Sequence, residues 1–386
     1  MFQRWMRLDK EKSALIIGPR RSGKTTYLKQ TFLDYTYITL DDFDMIHWAE
    51  RDPKGMIASL KHKGIIDEIQ RVPPLTIAVK YAIDQYHDHI IMTGSSSIGL
   101  LDASADTLAG RINRHSMPTA CWGEDKAPPQ HRIFTEKAEY LLLKEASRSY
   151  NEALIYGSFP EVLMKESQSE KIELLNNYKN TYFTKDIQQL SNLENLDGLR
   201  AIYGNIAQSI GTNLEISHFA KESGLSVPTA QKYLNTLYQS ELTFKLYGYK
   251  EGPAKRYIKS GKTYYADNGI IEAFRFRLSE GQLLENFVIS ELEKRRKLGF
   301  IKADQFYYYK SAGGREIDLI FETEETVHAI EIKAIKTPSS RDVANIKAFL
   351  SSIKRKSKGF LFYLGENYLE IDDIACIPVY ALYGGI

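Results

Sequence analysis

Short apolar runs separated by helix-length polar stretches organise the first third of the chain. They fall at Ala14 to Ile17, Tyr37 to Leu40, Ile65 to Ile66, Ile90 to Met92 and, more weakly, His115 to Met117. Runs without a polar face suit strands buried on both sides, and their alternation with helical stretches predicts a parallel sheet wound with helices, an α/β fold. From about Gln130 to Asn205 the spacing is helical, broken at Gly157-Ser158-Phe159-Pro160, a helix stop with proline beyond it. Tyr178, Tyr182 and Phe183 in that segment are expected in the core.

Leu214 to Leu242 has helix-turn-helix spacing, with one short helix over Ile216 to Ser223, a turn at Gly224 and a second helix from Val227 to Ser240. Phe244 to Tyr249 and Lys262 to Ala266 are expected to pair as a wing around the basic turn of Lys255, Arg256 and Lys259. Beyond it, apolar Leu283, Leu284, Phe287, Val288 and Leu292 predict an amphipathic helix over Glu280 to Arg296. Strands follow at Phe306 to Lys310, Glu316 to Phe321 and Val327 to Ala334, then a helix from Ser340 to Lys354 and a strand from Phe360 to Leu364.

The 386 residues exceed what one core usually supports, so several domains are expected. Charge adds little, because 51 basic residues against 49 acidic ones give no global case for nucleic-acid binding. The two cysteines, Cys121 and Cys376, fit neither a zinc cluster nor a disulfide framework. No apolar run reaches the length of a membrane span or a signal segment, so no membrane contact and a cytoplasmic location are expected.

Chemistry concentrates first at Gly18-Pro19-Arg20-Arg21-Ser22-Gly23-Lys24-Thr25, which fits G-x-x-x-x-G-K-[ST] between a strand and a helix. Backbone N–H groups of such a turn, with the helix N-terminus behind it, point at nucleotide phosphates. Lys24 would meet the β and γ phosphate oxygens, the Thr25 hydroxyl would hold Mg²⁺, and Thr26 is counted with the nucleotide-binding residues. The third apolar run ends in Asp67 and Glu68, at the ligand edge of a parallel sheet. Asp67 would hold Mg²⁺ through water and Glu68 would polarise the attacking water. The fourth ends in Thr93-Gly94-Ser95-Ser96-Ser97, which puts the Ser95 hydroxyl between these carboxylates and the γ-phosphate, or else forms a plain serine-rich turn.

A second constellation lies near the far end. Period-two alternation sets Glu316 and Asp318 on one strand face, and Glu331 and Lys333 on one face of the next strand. A hairpin near Glu324 and Glu325 would bring Asp318 opposite Glu331, a costly pairing unless a cation or Lys333 sits between them. Asp318 and Glu331, with help from Glu285, would ligate Mg²⁺ or Mn²⁺, and Lys333 would stabilise charge or orient water in phosphodiester hydrolysis. Lys310, Arg315, Lys336 and Arg341 would form a basic rim or ordinary surface charge. In the helix-turn-helix, Thr229, Gln231 and Lys232 are the candidates for a DNA-facing surface, though only Lys232 there is basic, and protein packing is the competing use.

The blocks Gly18 to Thr26, Leu40-Asp41-Asp42, Ile66 to Pro73, Thr93 to Ser96 and Leu108-Ala109-Gly110-Arg111 resemble those of a AAA-type P-loop ATPase family of bacteria and archaea. The C-terminal order of helix, three strands, helix and strand resembles the restriction-endonuclease-like fold and its D…(D/E)-x-K pattern. The likeness spans nearly the whole chain. It implies a AAA-type P-loop core over 1–128, a helical lid or connector over 129–205, a winged-helix module over 206–275 and a nuclease-like domain over 276–386. It also implies that Arg111, or less readily Arg114, acts as an arginine finger in its own or a neighbouring subunit, a ring or dimer following in the second case; either is equally suited to a surface salt bridge.

The functional expectation is an ATP-hydrolysing protein acting on DNA, with RNA an open alternative, through a Mg²⁺-dependent nuclease-like domain. Its competitor is a nucleotide-dependent switch that binds protein partners through an inert domain of the same fold. A small-molecule kinase would share the phosphate loop but leave the helix-turn-helix and the C-terminal carboxylates without a use.

Overall fold

The computed structural model describes residues 2–95, 108–187, 195–250, 261–311 and 313–386. Ser96, Ser97 and the basic turn of Lys255, Arg256 and Lys259 lie outside the described residues. The chain forms two compact units, one built from Gln3–Thr119 with Gln239–Glu241, the other chiefly from Ala120–Tyr238 and Leu242–Ile386.

The first unit holds strands β1 (Ala14–Ile17), β2 (Thr36–Thr39), β3 (Lys63–Asp67), β4 (His89–Gly94) and β5 (Asn113–Ser116) in the order β2-β3-β4-β1-β5. All four pairings are parallel. Helices α1 (Lys24–Thr31), α2 (Phe43–Arg51), α3 (Pro53–Ala58) and α4 (Leu75–Tyr86) connect them. Every residue of β1 is buried, as an apolar strand between two neighbours requires. The chain leaves β1 toward β2 on one side and returns past it to β5 on the other, so the carboxyl end of β1 is where the winding changes direction and where open parallel sheets bind ligands. The phosphate-loop motif stands there.

In the second unit, helices α5 (Tyr140–Tyr156), α6 (Pro160–Leu163), α7 (Gln168–Asn180) and α8 (Leu196–Gln208) precede α9 (Ile216–Glu222) and α10 (Val227–Gln239), the two helices of the expected helix-turn-helix segment. Gly157 ends α5 at φ 66, where an added Cβ would lie 1.7 Å from Asp267 Oδ1, so the expected break is enforced by packing as well as by conformation. Tyr178, Tyr182 and Phe183 are buried in the core.

Strands β6 (Thr243–Gly248) and β7 (Lys262–Tyr265) pair antiparallel. The hairpin is not a free wing, however, because β6 also pairs in parallel with β8 (Tyr307–Lys310). Helices α11 (Asn268–Phe274) and α12 (Glu280–Lys297) precede β8; β9 (Glu316–Glu322), β10 (Val327–Lys333), α13 (Ala344–Ser352), β11 (Ser357–Tyr363), β12 (Leu369–Ile371) and β13 (Ile374–Pro378) follow it. One eight-stranded mixed sheet, β12-β13-β11-β10-β9-β8-β6-β7, therefore runs across residue 275.

Helix α12 departs from the amphipathic expectation. Its polar positions are also buried, including Asn286, Glu291, Lys294 and Arg295. Buried charges persist only when paired, and these are. Lys294 Nζ donates to Glu291 Oε1 at 2.8 Å, Asp267 Oδ2 at 3.0 Å, Ser158 Oγ at 2.6 Å and the Ala120 carbonyl at 3.2 Å. Arg295 donates to Glu291 Oε2 at 2.6 Å, to the Gly385 carbonyl at 2.7 Å and to the Leu382 carbonyl. Cys121 and Cys376 are buried free thiols, and no helix among the described residues is long and apolar enough to cross a membrane.

Candidate functional site

The candidate site residues fall in two groups of charged side chains, one in each unit. In the first, β1 delivers the chain to a turn in which Arg21 and Gly23 adopt φ 64 and φ 89, and α1 begins at Lys24. Gly18 passes so close to β5 that a Cβ would lie 2.1 Å from the Met117 carbonyl oxygen, which explains glycine at the motif's first position. Arg20 is half-buried, while Arg21 and Thr26 are exposed on the turn and first helical turn.

Lys24 is buried, and its ammonium donates to the carbonyls of Gly18 at 2.8 Å and Pro19 at 3.1 Å, spanning the loop from within. Burial pulls its pKa below the ordinary lysine range, against the raising influence of the Glu68 and Asp67 carboxylates. The Ser22 hydroxyl in the same loop is buried without a hydrogen-bond partner.

The carboxyl end of β3 faces this loop. Asp67 Oδ2 accepts from Thr25 Oγ1 at 2.7 Å and from Tyr37 OH at 2.6 Å, and its Oδ1 accepts from the Thr93 hydroxyl. Glu68 takes the left-handed conformation at φ 60, which turns its side chain out of the strand alternation. Its Oε2 accepts from Ser95 Oγ at 3.0 Å and from the Gln70 side-chain amide, which also donates to Ser95 Oγ at 3.1 Å. The predicted Lys24, Thr25, Asp67, Glu68 and Ser95 thus meet at one sheet edge.

Sequence reasoning gave no role to Tyr37 or Gln70. Only with the register of β2 on β3, which pairs Thr39 with Asp67, does period two put Tyr37 on the face that meets Asp67. Burial and the Asp67 hydrogen bond raise the pKa of its phenol, so it donates to the carboxylate at neutral pH. Arg111 pairs through Nε with Asp84 Oδ1 at 2.6 Å and donates to the Ala109 carbonyl at 3.2 Å. Of the two uses expected for it, the geometry is that of the surface salt bridge; Arg114 is exposed on β5.

In the second unit, β9 and β10 form the expected hairpin, with Ile330 opposite Leu319 and Glu331 next in line with Asp318. Asp318 Oδ2 accepts from the Ile332 amide at 2.9 Å. Glu331 is buried, its carboxylate oxygens make no hydrogen bond, and Lys333 Nζ lies 3.6 Å from Oε2. Burial pushes its pKa up to about 7, opposed by Lys333 and reinforced by Asp318. Burial likewise raises the pKa of Asp318 and of Glu285; the Asp318 charge raises Glu285 further, and Lys262 opposes the shift in both.

Glu285, Asp318 and Glu331 are the residues expected to form one metal-ligand set. Among the described residues no group of three or more His, Cys, Asp or Glu side chains is placed to hold a metal ion. Glu285 Oε1 instead accepts from Tyr264 OH at 2.7 Å and lies 3.8 Å from the ammonium of Lys262. Of the basic rim, Lys310 pairs with Glu316 Oε2 at 3.5 Å, while Arg315, Lys336 and Arg341 are exposed. In the helix-turn-helix, Gln231 and Lys232 are exposed and Thr229 is half-buried.

Residues 10–124 match the family model described as AAA domain. That match covers the phosphate loop, Asp67, Glu68 and Arg111, and supports a nucleotide-binding, ATPase-like protein of AAA type. Residues 147–280 and 280–382 match two domains of unknown function, DUF8612 and DUF4143. An uncharacterized protein of Methanocaldococcus jannaschii is 27% identical over 369 residues, covering 90% of this chain and 80% of that protein. An uncharacterized protein of Mycobacterium tuberculosis is 22% identical over 378 residues, with 94% and 79% coverage.

Among solved structures, a Signal Transduction ATPase with Numerous Domains (STAND) protein of Pyrococcus horikoshii with a tetratricopeptide repeat sensor is 10% identical at a TM-score of 0.20. The match covers 76% of this chain but only 46% of that one. A protein of Vibrio cholerae is 12% identical at a TM-score of 0.20, covering 96% and 95% of the two chains. Neither likeness bears on fold or activity here.

Proposed function

We propose that this protein binds and hydrolyses ATP at the carboxyl edge of its five-stranded sheet. The observation that carries the reading is the meeting of Lys24, Thr25, Asp67 and Glu68, with Thr25 and Asp67 in direct hydrogen bond. The loop suits a triphosphate: Gly18 has no room for a side chain, and the buried Ser22 hydroxyl has bonding capacity to spare. A hydroxyl beside a carboxylate is also a hard-oxygen pair of the kind that holds Mg²⁺ with nucleotide phosphates.

On nucleotide binding, Lys24 would exchange the carbonyls of Gly18 and Pro19 for phosphate oxygens, an exchange of neutral acceptors for charged ones. Thr25 and Asp67 would hold Mg²⁺, whose charge neutralises the phosphates. Glu68 would orient the attacking water, and the hold of Gln70 and Ser95 on its carboxylate fixes where that oxygen points. The test is Mg²⁺-dependent phosphate release by wild type, Lys24→Ala and Glu68→Gln. Equal rates in all three would remove the assignment.

For the C-terminal unit, a restriction-endonuclease-like domain acting on DNA is a second reading, favoured by Glu331, whose buried oxygens lack hydrogen bonds and on which the Asp318 charge acts. Asp318 and Glu331 would hold Mg²⁺ or Mn²⁺, and Lys333 would stabilise charge on a phosphate. Cleavage by wild type of linear, branched or single-stranded DNA or RNA, lost in Asp318→Ala and Lys333→Ala, tests it. A panel left uncut, with ATPase stimulated by a protein and not by nucleic acid, would favour a nucleotide switch instead.

A further inference from the structure

We infer that Lys262 is a resident cation of the C-terminal acidic cluster and that it withdraws Glu285 from any metal site there. This deepens the second reading above and does not depend on ATP hydrolysis.

Lys262 begins β7 and is 1% exposed, an extreme burial for an ammonium. Its Nζ is in ion-pair contact with Glu316 Oε1 and lies 3.8 Å from Glu285 Oε1. It also lies 5.5 Å over the Tyr308 ring. A lysine this deep needs counter-charge, and Glu285, Glu316 and Asp318 are the carboxylates that act on it. The cluster therefore carries its own positive charge, supplied by the hairpin that the sequence suggests as a wing.

Glu285 is fixed on its other sides as well. Tyr264 OH occupies Oε1, and Gly211, at φ +82, backs Oε2 so closely that a Cβ there would lie 2.8 Å away. A divalent ion needs several oxygen ligands at about 2.0–2.6 Å and dehydrates at a cost. Between Glu285 and Asp318 it would stand beside a buried ammonium of like sign, with Glu285 Oε1 already accepting a phenol proton. The carboxylates left to a metal are Asp318, on which Lys262 also acts, and Glu331, so the cluster takes one divalent ion at most.

The test is Mn²⁺ binding to the full chain, followed by electron paramagnetic resonance without nucleotide, in an Asp67→Asn background that silences the first site. Glu285→Gln is expected to leave Mn²⁺ affinity and stoichiometry unchanged. Lys262→Met is expected to strengthen Mn²⁺ binding by about 10-fold or more, the scale on which neighbours of ligands tune metal affinity, and Glu285→Gln added to it should reverse the gain. A loss of about 10-fold in affinity on Glu285→Gln alone would overturn the inference. So would a folded Lys262→Met protein that binds Mn²⁺ no better than its parent. If Lys262→Met does not fold, the Glu285→Gln comparison decides; a parent that binds no Mn²⁺, with Lys262→Met acquiring it, supports the inference.

Discussion

The Thr25 hydroxyl donates to Asp67 Oδ2 across 2.7 Å, tying the first turn of α1 to the carboxyl end of β3. The bond brings together two residues far apart in sequence whose motifs are separately suggestive. It also makes the order of substitutions at this edge predictable.

Lys24→Ala removes the ammonium that spans the loop, so it should weaken ATP binding and abolish turnover together. Glu68→Gln keeps the shape and the hydrogen bonds to Ser95 and Gln70 possible while removing the charge that polarises water. It should retain ATP binding and slow hydrolysis by about 10²–10⁴-fold, the usual contribution of such a group. Equilibrium binding of a fluorescent ATP analogue beside a phosphate-release assay separates the two outcomes.

Tyr37→Phe deletes one of three hydroxyl donors to Asp67. A hydrogen bond to a charged acceptor contributes about 1.5–3 kcal/mol, and the half-buried position here points to the lower end. The variant should fold, and half-maximal ATPase should shift in Mg²⁺ concentration while ATP affinity measured in EDTA stays the same. An unchanged Mg²⁺ curve would show that Tyr37 serves the fold alone.

Lys294→Met leaves Glu291 and Asp267 buried with one fewer cation. Breaking a buried pair from one side costs about 3–5 kcal/mol. The cost should appear as a lowered denaturant midpoint of the second unit, and a loss under about 1 kcal/mol would mean that the network relaxes or admits water.

Glu331 sets a pH dependence with a definite sign. Its folded-state pKa, about 7, stands above the ordinary 4.5, so the folded chain binds the extra proton between those values. Stability from this group is therefore greatest at the acid side of that window and falls as pH rises through it. Glu331→Gln should flatten the decline between pH 5 and about 7.5, measured as denaturant midpoint against pH. A slope the same in both proteins would place the titration elsewhere.

What the sequence made legible follows from locality. Strand β1, the turn and α1 are contiguous, and glycine, lysine and threonine spacing in one short segment carries their geometry without help from the rest of the chain. The hairpin that sets Asp318 against Glu331 is equally local, needing only alternation and a turn. Tyr37 escaped because its hydroxyl acts on a neighbouring strand whose register period two alone does not give. Lys262 escaped because β7 and α12 are separate in sequence, and a lone lysine at a strand start reads as solvated. Helix α12 read as amphipathic since hydropathy counts Glu291, Lys294 and Arg295 as polar, whereas mutual neutralisation lets them enter the core.

The pairing of β6 with β8 carries a consequence for anyone who cuts the chain. A fragment beginning near residue 276 would present β8 with a raw backbone edge, an invitation to add a strand from another molecule and form insoluble stacks. A fragment ending there would lose the plate on which the β6–β7 hairpin is mounted. Mechanically the hairpin is a flange of the sheet, so a pull on it loads β8, β9 and β10 in turn and reaches Asp318 and Glu331 through the ladder.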